Sequence, residues 1–239
     1  MSTLDHRSLE ILALVPARGG SKGVPRKNVR DLAGRPLLQW SVDAARASKQ
    51  VGRIVVTTDD PAIADIARAG GADVPFLRPA ELARDDTAGL DPVLHALEWL
   101  AEHESYRPDL VLLLQPTSPL RTVADIDGAV SLAIGSALDP VVSVTTPSQH
   151  PYWMKRIDDD GRLHDVIPQP TPTTRRQDLP TCYAVNGAIY LITPDALREH
   201  RTWFTDRTLA YIMPPERSLD IDSEWDFRVA ATILAAMAS

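Results

Sequence analysis

The apolar run Ile11–Pro16 empties directly into a loop that carries Gly19, Gly20 and Gly23 together with Arg18, Lys22, Arg26 and Lys27. A strand that ends this way is a strong constraint, because it puts backbone N–H groups and cations at the carboxyl edge of a sheet, where anions bind. Glycine permits close backbone approach, while arginine and lysine neutralise phosphate charge. The spacing is neither Gly-x-x-x-x-Gly-Lys-Ser/Thr nor Gly-x-Gly-x-x-Gly, so neither the P-loop nor the dinucleotide fingerprint applies. Three glycines and four cations in one loop suit the triphosphate of a nucleotide.

Together with 11–16, short apolar runs at 53–58, 110–115, 140–145, 188–192 and 209–213 read as buried strands, and helical patterns alternate with the first four of these six. Leu90, Val93, Leu94, Leu97, Leu100 and Ala101 form one helix face, with Asp91-Pro92 as cap and first-turn proline. Val229, Ile233, Leu234 and Met237 do the same for a terminal helix beginning near Ser223. The alternation predicts an α/β fold with a mostly parallel sheet, helices on both faces and a ligand site at the carboxyl ends of the strands. The 239 residues, 44% of them hydrophobic, suit a single domain spanning 1–239. The pattern breaks at about 147–182, where a proline-dense stretch follows Tyr152, Trp153 and Met154. A long irregular segment with large apolar residues reads as an inserted arm that meets a second subunit.

The formal net charge of −7 argues against a nucleic-acid partner, so the cations of the first loop are a local site for a small anion. Cys182 is the single cysteine, which excludes an internal disulfide and a cysteine-based zinc site. It reads as a small buried apolar residue in a reducing cytoplasm. The segment 1–10 is polar and no apolar run approaches about 18 residues, so neither secretion nor a membrane span is expected. The histidines show no i, i+4 pair, which leaves a histidine metal site unsupported; His150 either polarises a substrate or packs.

Asp220 and Asp222 stand two apart in an extended stretch, and alternate residues of such a stretch project to one side. Both carboxylates can face one Mg²⁺, which takes one or two carboxylates and completes its shell with substrate phosphates and water. Alternatively Asp222 caps the terminal helix, a role that Ser223 can fill instead. Gln115 follows the 110–115 run and belongs at a strand's carboxyl end, where its amide pairs with backbone or with a ligand.

Six segments together carry a resemblance: Ala17-Arg18-Gly19-Gly20-Ser21-Lys22-Gly23 with Lys27-Asn28; Thr57-Thr58-Asp59; Leu77-Arg78-Pro79-Ala80-Glu81-Leu82 with Asp86-Thr87; Leu113-Leu114-Gln115-Pro116-Thr117-Ser118-Pro119-Leu120-Arg121; Asn186-Gly187-Ala188-Ile189-Tyr190; and Asp220-Ile221-Asp222. Spread over residues 11–235, they resemble the acylneuraminate cytidylyltransferases, the CMP-sialic acid synthetases. The resemblance implies a Rossmann-like nucleotidyltransferase fold with a dimerisation arm, acting as a cytoplasmic homodimer. It also implies a Mg²⁺-dependent transfer of CMP from CTP to the anomeric hydroxyl of an acidic nine-carbon sugar, with release of pyrophosphate. By it, Arg18, Lys22, Lys27 and Asn28 hold the triphosphate, and Arg78 and Ala88 lie near the base and ribose. Gln115 contacts the acid sugar, as do Lys155 and Arg176 from the neighbouring subunit's arm, with Trp203 and Phe204 lining the sugar pocket. Asp220 and Asp222 hold the metal, and Arg18 and Lys27 stabilise the leaving pyrophosphate. The resemblance assigns no general base; Asp222, acting through the metal, is the candidate.

The chain departs from that pattern at Ala184, where the family often has an arginine two residues before Asn-Gly-Ala. The acceptor is therefore open among N-acetylneuraminate, legionaminate, pseudaminate and a deaminated relative. Rival readings are a same-fold nucleotidyltransferase for a 3-deoxy-octulosonate or a phosphonate, one that uses GTP, and a catalytically silent nucleotide-binding regulator.

Overall fold

The computed structural model describes residues 9–20, 23–168 and 175–237. Its strands are β1 (Ile11–Pro16), β2 (Asp31–Leu32), β3 (Arg35–Pro36), β4 (Arg53–Thr57), β5 (Leu110–Leu113), β6 (Val141–Thr145), β7 (Lys155–Ile157), β8 (Leu163–Asp165), β9 (Ala184–Ile192) and β10 (Leu209–Ile212). The helices are α1 (Leu37–Ala47), α2 (Pro61–Ala69), α3 (Asp91–His103), α4 (Val123–Gly135), α5 (Pro194–His200) and α6 (Glu224–Met237). Six strands form the central sheet in the order β10-β6-β9-β5-β1-β4. β1 pairs in parallel with β4 and β5, β10 pairs in parallel with β6, and β9 runs antiparallel between β5 and β6. The sheet is thus mostly parallel, as the alternation of runs predicts. Its antiparallel member is the exception.

Both faces of the sheet are covered, and the side chains of each strand divide between them with a period of two. Ile11, Ala13 and Val15 pack with α1, α2 and α4, whereas Leu12 and Leu14 pack with α3 and α5. Residues Val93, Leu94, Leu97 and Leu100 of α3 are buried as their spacing predicts. The expected cap is absent: Asp91 is the first helical residue, with its carboxylate paired to Arg201 at 3.1 Å. The buried face of α6 also differs from the predicted one. Phe227, Ala230 and Leu234 enter a third cluster with Val24, Leu32, Leu37, Leu120 and Ile221, while Met237 is exposed. An apolar stripe in an alanine-rich helix has two readings, and Phe227, the largest side chain, decides between them.

Within the arm, β7 and β8 form a hairpin. Residues 169–174, most of the proline-dense stretch, lie outside the described residues. His150 is buried beneath Tyr152 and Trp153, its Nε2 bonded to the Pro180 carbonyl at 3.0 Å. The packing reading therefore holds for His150. Cys182 is half-buried. No helix among the described residues is long and apolar enough to cross a membrane.

One buried charge ties two segments of the fold. Asp125 is 1% exposed; it completes a capping box with Thr122 at the start of α4 and receives two hydrogen bonds from Arg217, at 2.9 and 2.8 Å. Burial alone would raise the carboxyl pKa, but the Arg217 and Thr122 hydrogen bonds outweigh it and hold it below the usual range. The stability this supplies is complete above the unfolded carboxylate pKa of about 4 and is lost as pH falls through the lower folded value. Arg217→Ala should therefore cost about 2–3 kcal/mol near neutral pH in urea denaturation, somewhat less than a fully enclosed pair because Arg217 is partly exposed. The gap between variant and wild type should narrow below about pH 4 as Asp125 protonates.

Candidate active site

The sheet reverses its direction of winding at β1, since the chain places β4 on one side and then returns to place β5 on the other. Two loops leave the carboxyl ends of β1 and β5 in opposite directions, and a crevice opens between them. It is a cavity of about 390 Å³ lined by Arg18, Lys27, Asn28, Arg78, Gln115, Asp220 and Asp222, among others. Those are seven of the residues singled out in the sequence, drawn from four separate segments.

The loop after β1 is held by its own hydrogen bonds. Gly19 N–H donates to Asp59 Oδ1 at 3.0 Å, and the Asn28 amide donates to the Arg18 carbonyl at 3.0 Å. Asn28, 8% exposed, is thus a brace of the loop. Arg18 reaches across the cleft to Asp85 at 2.8 Å. Arg26 is exposed and pairs with Asp60 at 3.4 Å. Lys22 lies outside the described residues. Arg78 lines the cleft, but its guanidinium binds Thr57 through both the hydroxyl and the carbonyl, and the Leu82 carbonyl. Burial lowers its pKa to about 10, which leaves it cationic at neutral pH.

On the opposite wall, Ile221 is fully buried and its N–H donates to the Thr117 carbonyl at 2.9 Å. Asp220 and Asp222 on either side of it are thereby turned to the cleft. Asp220 Oδ1 is buried without a hydrogen-bond partner. Burial raises the pKa of this carboxyl; Asp222 adds like-charge repulsion, while a Thr117 hydrogen bond and Lys27 oppose the rise. Lys27 donates to the Ile221 carbonyl at 2.5 Å and stands 4.0 Å from Asp222. Its own pKa is lowered, chiefly by burial and further by Arg18, against the pull of both aspartates. A Cβ on Gly23 would fall 2.0 Å from the Asp222 carbonyl, so only glycine lets the β1 loop approach the aspartate segment. Asp222 does not cap α6: Ser223 and Asp226 form that cap, Asp226 N–H donating to Ser223 Oγ at 3.3 Å and Asp226 accepting from Ser223 N–H at 2.8 Å. An orphaned buried carboxylate oxygen beside a second, solvent-exposed carboxylate is a donor set suited to a hard divalent cation completed by phosphate oxygens.

Gln115 occupies the end of the crevice nearest β9. Its Oε1 lies 2.9 Å from where a Cβ on Gly187 would sit, and Gly187 adopts a left-handed φ of 73°. The turn is fixed by Asn186, whose Oδ1 accepts from Ser143 Oγ at 2.6 Å and Ala188 N–H at 3.2 Å. The same amide donates to Ser218 Oγ at 2.9 Å, which ties β9 to the segment leading to Asp220. Sequence reading quoted Asn186, Gly187 and Thr117 within motifs but gave them no role, because their partners are distant in the chain.

The remaining residues lie away from the cavity lining. Ala88 is exposed and only its neighbours Thr87 and Gly89 line the cleft. Lys155 pairs with Asp165 across the hairpin, and Arg176 donates to the carbonyls of Pro147 and Ser148. Within one chain, both cations of the arm are remote from the cleft lining. Trp203 packs on Tyr190 with ring centroids 5.5 Å apart, as part of the α3 face of the core, whereas Phe204 is 52% exposed. Tyr190 pairs with the cleft residue Leu113, and its phenol pKa is raised by burial and by Asp220, so this aromatic pair lies beside the site.

Residues 12–199 match the family described as Cytidylyltransferase. The chain is 36% identical over 225 residues to the "N-acylneuraminate cytidylyltransferase" of Escherichia coli O18:K1:H7, covering 94% of this chain and 52% of that protein. It is also 36% identical over 233 residues to the "CMP-N,N'-diacetyllegionaminic acid synthase" of Legionella pneumophila, covering 95% and 97%. The chain thus spans about half the length of the first relative and nearly all of the second. Among solved structures, CMP:2-keto-3-deoxy-manno-octonic acid synthetase complexed with CTP aligns with a TM-score of 0.70 at 17% identity, over 95% of this chain and 99% of that one. This last likeness shows the fold.

The Gly187 turn gives a direct test of the geometry. Gly187→Ala forces a Cβ into a left-handed residue against Gln115 and should cost about 1–2 kcal/mol in urea denaturation. Gly20→Ala, which has open space around it, should leave the midpoint near wild type.

Proposed function

The chain belongs to the cytidylyltransferase family, and on that premise we propose that it transfers CMP from CTP to the anomeric hydroxyl of a nonulosonic, sialic-type acid, releasing pyrophosphate. One observation carries the reading: a basic loop, a carboxylate pair and the Gln115 amide converge on a single crevice at the switch point of the sheet. The two relatives, named for different nine-carbon acid sugars, match equally well at 36% identity, so the proposal is for the class of acceptor.

In the proposed reaction the anomeric oxygen attacks the α-phosphorus in line, a new P–O bond forms, and the bond from the α-phosphorus to pyrophosphate breaks. Arg18 exchanges Asp85 for phosphate oxygens, and Lys27 offers a point charge to the leaving group. Asp222, 81% exposed at the cleft mouth, takes the hydroxyl proton. Asp220 and Asp222 are the residues that would hold Mg²⁺, which when bound supplies charge neutralisation to the triphosphate. Gln115 orients the acid sugar.

We further propose a single catalytic domain over 1–239 that works as a cytoplasmic homodimer without nucleic-acid partners, in keeping with its acidic charge and single cysteine. The arm supports the dimer: Met154, Ile157, Leu163 and Val166 are exposed on and beside the hairpin, at 47%, 70%, 67% and 52%. Such a patch invites a second copy. Lys155 and Arg176 would then serve the partner's cleft.

Purified protein given CTP, Mg²⁺ and a panel of nonulosonic acids should release pyrophosphate with at least one of them; no release with any acid sugar would defeat the reading. Lys27→Ala should lower turnover more than CTP affinity, by about 2–4 kcal/mol or roughly 30- to 1,000-fold. Unchanged turnover at saturating substrates would remove Lys27 from the chemistry.

The metal assignment is tested apart from activity. CTP with Mg²⁺ should raise the melting temperature of the wild type beyond CTP alone, by mass action. Asp222→Asn should lose most of that increment with its unliganded melting temperature intact, because the carboxylate is exposed. A variant with the full increment would show that Asp222 does not bind the metal.

A further inference from the structure

Arg121 is a buried cation that the reaction leaves unused. It is 4% exposed and forms no ion pair among the described residues: Asp125, the acid whose charge acts on it, is already taken in two-point contact by Arg217. Enclosing an arginine this way is costly unless its donors meet fixed acceptors. Its two terminal nitrogens meet such acceptors, whereas Nε is buried without a partner. Nη1 donates to the Ala188 carbonyl at 2.7 Å and the Gln115 carbonyl at 3.4 Å, and Nη2 donates to Ser41 Oγ at 2.5 Å. Ser41 Oγ in turn donates to the same Gln115 carbonyl at 3.3 Å.

Those carbonyls belong to the two segments that form the Gln115 end of the crevice. Gln115 follows β5, and Ala188 follows the left-handed Gly187 on β9. No ladder hydrogen bond joins them there, because the β5 register against β9 ends at Leu113 and Tyr190. We propose that Arg121 is a positioning residue for the acceptor side of the cleft: its planar fork staples the Gln115 backbone to Ala188 and so sets the Gln115 carboxamide against Gly187. Lysine cannot span both carbonyls and Ser41 from one compact ammonium group. The inference rests on the acceptor role proposed above for Gln115. The Arg18, Lys27 and Asn28 side chains come from the β1 loop and make no hydrogen bond to Arg121 or Ser41 among the described residues.

The test compares wild type, Arg121→Lys and Ser41→Ala below their melting temperatures, in steady-state kinetics with CTP and the best acid sugar and in amide hydrogen exchange. Arg121→Lys should raise KM for the acid sugar and lower kcat, with a combined loss of about 100-fold, and leave KM for CTP near wild type. Exchange at Ser118 and Ala188 should quicken. Ser41→Ala keeps the buried charge and removes one ligand, so it should move the same constants by about 2- to 10-fold. If Arg121→Lys does not fold, Ser41→Ala decides the question alone. A merely structural Arg121 would lower the melting temperature while both KM values stay at wild type, and that result overturns the proposal, as does an equal rise in both. A wild type inactive with every acid sugar overturns the reading of the site instead, and the exchange rates still report whether the staple exists.

Discussion

The rest of this structure depends on the burial of the parallel pair β1 and β5 at the middle of the sheet. Leu12, Leu14, Leu110, Val111 and Leu112 have no exposed surface. With apolar residues on both faces, neither strand can lie at an edge, and helices must cover each side. Parallel pairing then sends both chains out of the sheet at the same end. Because the chain adds strands first on one side of β1 and then on the other, the two exits diverge, and the crevice follows from topology. What the loops contribute is its chemistry.

That chemistry is a local reversal of the protein's overall sign. A chain of net charge −7 concentrates Arg18, Lys27 and Arg78 around one cavity, and each already has a partner within the chain. Some partners can be given up and others cannot. The Arg18–Asp85 pair is solvent-accessible, with Arg18 half-buried and Asp85 exposed, so it is a weak pair that a phosphate can replace. Arg78, 5% exposed and bonded to backbone and hydroxyl oxygens, is part of the wall. Lys27 lies between, with its ammonium on the Ile221 carbonyl and its charge between two aspartates.

The antiparallel strand β9 brings in the fourth segment. It runs between β5 and β6 and presents Asn186 and Gly187 at the carboxyl ends of these two antiparallel neighbours. Asn186 then joins three pieces of chain through one amide, its carbonyl to Ser143 and its NH₂ to Ser218. Side-chain networks of this kind fix backbone where ladder bonds end, and they lose most of their worth if one member is missing. The segment from Ser218 to Asp222 has no regular secondary structure of its own. It is placed by such bonds and by the burial of Ile221.

Much of this was legible in the sequence. Strand positions, the α/β class and the β1 loop follow from periodicity, glycine and charge, which are local properties of a chain, whereas Arg78 and the ligand roles of the cleft residues come from the family resemblance. The alternation of Asp220, Ile221 and Asp222 also foretells its outcome, since one buried apolar residue turns both neighbours outward. Other features required the tertiary structure. The direction of β9 is invisible in a run that reads the same in either sense, and the stripe of α6 was set by the pocket that received Phe227. Arg78 reads as a ligand-binding cation until Thr57 is seen to occupy it, and Arg121 reads as the end of a motif until Ala188 and Ser41 are beside it. In each case the deciding partner lies tens of residues away. Local sequence determines which groups a chain has to offer, but only folding sets which of them are left with free hydrogen-bonding capacity.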